Sequence, residues 1–212
     1  VHARIRKKAP VKTIVINGCE PEPYVTSEQA LLTLHPVEIL KGAELLRKAM
    51  GAEKIVFILE DSNRETFELI KSKIYLLKLG TCSAETIPAF YPFGCERLLL
   101  KKFKEGAAIW NPSTVYAVYE AVYLQKPFYE KIVTVGGECV VEPRNLWLPL
   151  GTLFQDAIQV CKGLLRSPRK VLSGGPMSGA AQSSLDVPVT AGTNAILALP
   201  PEIAKAKKEK PC

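Results

Sequence analysis

Apolar residues along this chain arrive in short β-branched runs separated by longer stretches of helical periodicity. Val11–Ile16 (VKTIVI) is the first run, stopping at Asn17-Gly18. It reads as a buried strand entering a turn. Lys54–Leu59 (KIVFIL) is the second. Between them Ser27–Leu34 and Val37–Met50, the latter behind Pro36, repeat apolar residues at helical spacing, with Gly51 as the stop. Asp61, Ser62 and Asn63 offer caps for a helix from about Arg64 to Leu77. Thr86–Phe90 predicts an edge strand, interrupted by Pro88. A loop over Tyr91–Gly94 leads into a short helix, Cys95–Phe103. Ala107–Trp110 is a brief strand, and Ser113 or Thr114 caps a helix over Val115–Leu124. Strands alternating with helices in this way predict an α/β layered sheet, at least partly parallel.

The pattern changes near Pro127. Lys131–Val141 reads as a hairpin around Gly136-Gly137, Asn145–Leu150 as a short strand, and Gly151-Thr152 opens a helix to about Leu165. With Lys170–Leu172 this makes a small ubiquitin-like, β-grasp unit. A Gly-rich turn, Ser173–Gly179 (SGGPMSG), follows, and Val187–Thr190 and Asn194–Leu199 finish as short strands. The expected organisation is an α/β domain over 1–128, a β-grasp-like unit over 129–172, and a return segment over 173–212 packing back on the first domain.

Composition leaves this picture intact. The 212 residues are 47% hydrophobic and 23% charged, an ordinary globular balance. The net charge of +7 concentrates at the ends, in Arg4, Arg6, Lys7 and Lys8 and in Lys205, Lys207, Lys208 and Lys210. Such runs read as solvated arms. No basic stripe interleaved with aromatics suggests nucleic acid. Six cysteines, Cys19, Cys82, Cys95, Cys139, Cys161 and Cys212, form no C-x-x-C pair. They are expected to be free thiols of a cytosolic protein. No apolar run reaches the ~18–20 residues of a membrane span.

Four segments carry candidate chemistry. Asn17–Tyr24 (NGCEPEPY) hangs off the first strand, where open α/β sheets bind ligands. Its two prolines stiffen the loop, and its carboxylates and amide suit ribose hydroxyls or a planar ring edge. A stiff turn with solvated glutamates is the plainer alternative. Tyr91–Glu96 (YPFGCE) places aromatics and a glycine where a ring stacks, or where Tyr91 and Phe93 are simply core. Trp110–Thr114 (WNPST) precedes a helix, whose N-terminus is either an anion site or a plain cap. Gly174–Gly179 (GGPMSG) lacks the lysine of a phosphate loop.

In order and spacing these segments resemble the C subunit of the Rnf electron-transport complex and, more distantly, the flavin subunit of respiratory complex I. Asn145–Thr152 (NLWLPLGT), Gly174–Gly179 and Ser184–Thr190 (SLDVPVT) match the Rnf pattern more closely. The resemblance covers nearly the whole chain. It implies a Rossmann-like flavin domain followed by a soluble-ligand-binding β-grasp unit, with FMN held non-covalently and NADH as electron donor. Asn17 would line the flavin. Glu20 and Glu22 would face flavin and nicotinamide nucleotide, and Tyr91, Gly94 and Glu96 the shared pocket. Asn111 and Thr114 would hold the FMN ribityl phosphate. No protein side chain is given a catalytic role, since the redox chemistry belongs to the cofactor.

Cys19 and Cys95 stand where the complex I pattern is acidic, and Pro112 where a small aliphatic is usual. The resemblance places the family's Gly-rich flavin loop before Val1 and its iron–sulfur domain after Lys208–Cys212, so the chain is expected to be an excerpt. Cys212 would be the first ligand of a [4Fe-4S] cluster built in the longer protein. The implied role is electron input to an NADH:ferredoxin oxidoreductase. Its partners would be the other membrane subunits and ferredoxin. It would sit peripherally on the cytoplasmic face of the inner membrane, without a span of its own. A cobalamin reductase of the propanediol-utilisation type, a proline-reductase-associated electron carrier, and a docking scaffold with a decayed flavin site remain alternatives. The loops at Asn17–Tyr24, Tyr91–Glu96 and Asn111–Thr114 are expected to converge on one cleft at the carboxyl edge of the sheet.

Overall fold

The computed structural model describes residues 10–20, 22–103 and 106–204. The described chain divides into two units, the first within Val1–Pro21 and Glu28–Tyr129, the second within Glu22–Ser27 and Glu130–Cys212.

The first unit is built on β1 (Thr13–Asn17), α1 (Ser27–Leu34), α2 (Pro36–Met50), β2 (Lys54–Glu60), α3 (Arg64–Leu76), β3 (Cys82–Ile87), α4 (Glu96–Phe103), β4 (Ala107–Trp110) and α5 (Pro112–Tyr123). Its four strands lie in the order β3-β2-β1-β4, all parallel. Parallel neighbours need crossovers, and the helices supply them. Every residue of β1 is buried, as is the centre of β2. Val15, Val56, Ile58 and Ile109 share one core cluster with Leu99 of α4. The alternate residues Ile14, Ile16, Ile55 and Phe57 face the other way and are equally buried. A strand covered on both faces needs a continuous apolar run, which is what VKTIVI and KIVFIL provide. α2 packs on β1 and β2, and α5 packs on α2. That last contact is close: a Cβ on Gly42 would stand 2.3 Å from the Val115 carbonyl oxygen.

The second unit adds β5 (Glu130–Gly136), β6 (Arg144–Pro149), α6 (Phe154–Val160), β7 (Lys170–Ser173), β8 (Ala180–Gln182) and β9 (Ala195–Leu199) in a sheet ordered β6-β5-β9-β7-β8. β5 and β9 are parallel and the other pairs antiparallel. β9 is buried along its whole length. Ile196 and Ala198 join the core that includes Phe154 and Ile158 of α6. Ala195, Leu197 and Leu199 face a second cluster with Val25, Leu172 and Ala204.

Several elements differ from the sequence reading. The edge strand expected over Thr86–Phe90 is Cys82–Ile87, because Pro88 has no N–H to extend the ladder. Asn111 is the N-cap of α5, with Pro112 at its first position, so Ser113 and Thr114 lie inside the first turn. Gly136-Gly137 is not a hairpin turn. Gly137 takes a left-handed φ of 92° and passes so near β9 that a Cβ would meet the Ala198 carbonyl oxygen at 2.4 Å. The antiparallel partner of β5 is therefore β6. α6 ends at Val160 rather than near Leu165, where Lys162 and Gly163 turn left-handed. Val187–Thr190 contributes a single bridge, Leu153 to Pro188. Among the described residues after Val171, β8 and β9 belong to the second sheet, with β9 at its centre.

Among the described residues no helix is long and apolar enough to cross a membrane. Cys19, Cys82, Cys95, Cys139 and Cys161 are free thiols. Burial pushes the Cys19 thiol up to about 12, with Glu60 adding to it, and burial with Glu44 does the same for Cys82.

Gly42→Ala gains roughly 1 kcal/mol of helix propensity but forces the α2–α5 contact apart, an overpacking cost of about 1–3 kcal/mol. The net is destabilising, read as a lower denaturant midpoint, and a raised midpoint contradicts the packing. At pH 8 Cys19 and Cys82 remain neutral thiols and resist alkylation in the native protein. Mass mapping after brief iodoacetamide treatment checks this, and early labelling of either residue counts against it.

Candidate functional site

Because β1 to β4 are parallel, their carboxyl ends share one edge. Ile16 pairs with Trp110 there, so the residues following β1 and β4 start as neighbours. The loop after β3 is drawn to the same place. Asn17, only 8% exposed, donates its side-chain N–H to the Gly94 carbonyl at 3.0 Å. Its Oδ1 accepts from Cys19 N at 3.2 Å. The amide N–H thus ties the loop after β1 to the loop after β3, while its oxygen holds the turn at Cys19 within its own loop. Gly94 is buried, while Tyr91 and Phe93 are 47% and 41% exposed. The aromatics are therefore surface residues, not core.

Three carboxylates near this edge or in the loop that leaves it are committed to the protein itself. Glu20 accepts from the backbone N–H groups of Glu28 at 2.9 Å and Gln29 at 3.1 Å. It thereby satisfies orphan donors at the start of α1, as an N-cap does. Glu28 in turn reaches α5, accepting from Ser113 N at 2.8 Å and Ser113 Oγ at 2.6 Å. Its negative charge lies at the positive end of a helix. Glu22 is in the second unit, where it accepts from Met177 N at 2.7 Å, Ser178 N at 3.1 Å and Ser178 Oγ.

The site residues expected from sequence thus separate into two groups. Asn17, Glu20 and Glu22 are spent on internal hydrogen bonds. The side chains of Tyr91, Glu96, Asn111 and Thr114 make no hydrogen bond among the described residues, and Tyr91, Glu96 and Asn111 are exposed. The loop after β1 does not stay whole at this edge: its Glu22–Ser27 portion joins the second unit. Cys212 lies outside the described residues.

Sequence reasoning missed Glu28 and Trp110. An acidic residue in the first turn of α1 reads as a complement to that helix's own dipole, and nothing local shows that it caps another helix. Trp110 Nε1 is buried without a hydrogen-bond partner among the described residues, an orphan donor where β4 meets Asn111. The donors that a flavin nucleotide would meet here are an unspent amide and hydroxyl at the head of α5, with exposed aromatic faces on the YPFG loop.

The Nuo51 FMN-binding domain family matches residues 1–120, and the SLBB domain family matches residues 132–181. The C subunit of the proton-translocating ferredoxin:NAD(+) oxidoreductase complex of Clostridium ljungdahlii is 30% identical over 95% of this chain and 46% of its own length. The C subunit of the ion-translocating oxidoreductase complex of Rhodobacter capsulatus is 32% identical over 100% of this chain and 43% of its own. The chain spans less than half the length of these relatives. Its backbone is similar to a chain of an NAD+-reducing [NiFe]-hydrogenase, with a TM-score of 0.75 at 18% identity over 92% of this chain and 41% of that one, which shows a shared fold. The chain belongs to the Nuo51 FMN-binding domain family, whose model matches more than half of it, and an SLBB domain match follows.

Proposed function

We propose that this chain is the flavin- and nicotinamide-handling part of an Rnf-type electron-input subunit. NADH delivers electrons to FMN, and iron–sulfur clusters of the longer protein carry them on to ferredoxin. Other subunits couple the transfer to ion transport, and the protein sits peripherally on the cytoplasmic face of the membrane. Cys212 enters the proposal as a cluster ligand. The single observation that carries the reading is the set of unspent side chains, Tyr91, Glu96, Asn111 and Thr114, on loops that follow parallel strands to one edge.

Bound FMN supplies exchange between a two-electron donor and one-electron carriers. The protein supplies position and electrostatics. Asn111 and Thr114 would hold the ribityl phosphate through an amide and a hydroxyl at the start of α5. Glu28 already neutralises part of that helix end through Ser113, so the phosphate would depend on side-chain donors more than on the bare helix terminus. The Asn17–Gly94 hydrogen bond would fix the backbone against which the ring lies. Tyr91 would offer a face for stacking. Glu96 is the remaining exposed carboxylate of the set, placed to accept from ribose hydroxyls of the nicotinamide nucleotide.

In the flavin-bearing protein, Thr114→Ala and Asn111→Ala should each weaken FMN binding by about tenfold or more, the worth of a charge-assisted hydrogen bond. Glu96→Gln should leave FMN bound and slow its bleaching by NADH. Flavin content by absorbance and stopped-flow bleaching report the two quantities separately. If all three variants retain flavin and bleach at the parent rate, the site lies elsewhere.

A further inference from the structure

Residues Glu22–Ser27 run from the connection after β1 to the first residue of α1 but belong to the second unit. They are held there along their length. Val25, 7% exposed, closes the cluster over β9. Thr26 donates its N–H to Thr134 Oγ1 at 3.0 Å, and its hydroxyl is bonded to the Asn145 side chain. Ser27 Oγ donates to the Asn194 carbonyl at 3.3 Å, and Tyr24 donates its hydroxyl to Glu138 at 3.3 Å from a left-handed backbone of φ 69°. At the head of this strap stands Glu22, whose carboxylate accepts from Met177 N, Ser178 N and Ser178 Oγ.

The Gly-rich turn that receives it has no phosphate-loop lysine, and its composition has an explanation in the carboxylate. A Cβ on Gly175 would stand 2.2 Å from Glu22 Oε2, 2.6 Å from its Cδ and 2.9 Å from its Cβ. Gly175 is not among the glycines with a left-handed φ, so its backbone conformation does not itself demand glycine. The space for Glu22 does. Two successive N–H groups and one hydroxyl aimed at one carboxylate form an anion-binding concavity.

We propose that Ser173–Gly179 is a built-in carboxylate receptor whose ligand is Glu22, and that Glu22 is a positioning residue rather than a contact to nucleotide. It fastens the Glu22–Ser27 strap to the second sheet. The cradle thereby sets the conformation of the strap within the second unit.

Hydrogen–deuterium exchange on the purified chain tests this, resolved at residues 22–27, at 173–179 and at β5 and β9. Glu22→Ala should accelerate exchange at Met177, Ser178 and Thr26 by about ten- to a hundredfold, the worth of hydrogen bonds to a charged acceptor. Gly175→Ala should reproduce that pattern, because its methyl group displaces the carboxylate, and should add nothing in the Glu22→Ala background. Ser178→Ala, which adds no volume, should move the same amides in the same direction. Glu22→Gln, keeping the shape and one acceptor oxygen, should restore part of the protection. Exchange in β5 and β9 should stay at the parent rate throughout. If Gly175→Ala and Ser178→Ala leave residues 22–27 protected, or if the Gly175→Ala and Glu22→Ala effects simply add, Glu22 is not held by the turn and the proposal fails.

Discussion

Parallel pairing of β1 with both β2 and β4 is the constraint on which the first unit depends. A parallel strand cannot turn back on its neighbour, so each must be followed by a helix that crosses the sheet. The crossover helices bury both faces, and the strands must then be apolar throughout. The same pairing delivers every post-strand loop to one edge, where neither face of the sheet remains to be covered and polar side chains can collect. Asn17, Gly94 and Asn111 arrive there by topology before any of their own chemistry is considered. The hydrogen bond from Asn17 to Gly94 then converts neighbouring loops into a fixed surface.

Carboxylates govern what that surface can bind. Glu20 completes the first turn of α1, Glu28 the first turn of α5, and Glu22 the SGGPMSG turn. In each case a negative group satisfies backbone N–H donors that have no partner in their own element. The acidity of the PEPY loop, which reads as a ligand-binding feature, is thus largely structural. The proposed redox role falls instead to groups that the fold leaves unspent, chiefly the head of α5 and the exposed YPFG–Glu96 segment.

The first sheet was legible in the sequence because its strands are fully buried and their apolar runs are continuous. Val11–Ile16 and Lys54–Leu59 correspond to β1 and β2 within a residue or two, and the helix from Arg64 to α3. Reading failed where a strand's partner is distant. β9 sits between β5 and β7 through pairings that no local pattern encodes, and Gly137 reads as a hairpin turn because the β9 carbonyl it must clear lies 61 residues on. What could be read of the candidate site was its set of segments, since the parallel order brings the loops after β1, β3 and β4 to one edge. The fate of individual side chains could not be read. Whether Glu22 faces a nucleotide or Met177 depends on a contact 155 residues away, and the capping of α5 by Glu28 spans 85.

The most direct measurement is amide protection of the longer, flavin-bearing protein titrated with FMN. Binding at the carboxyl edge should slow exchange at residues 17–20, 91–96 and 110–115 together, saturating at one common affinity, while β5, β9 and the 173–179 turn keep their exchange rates. Protection confined to the second sheet, or saturating at different concentrations in the three loops, would contradict a single flavin site on the parallel sheet.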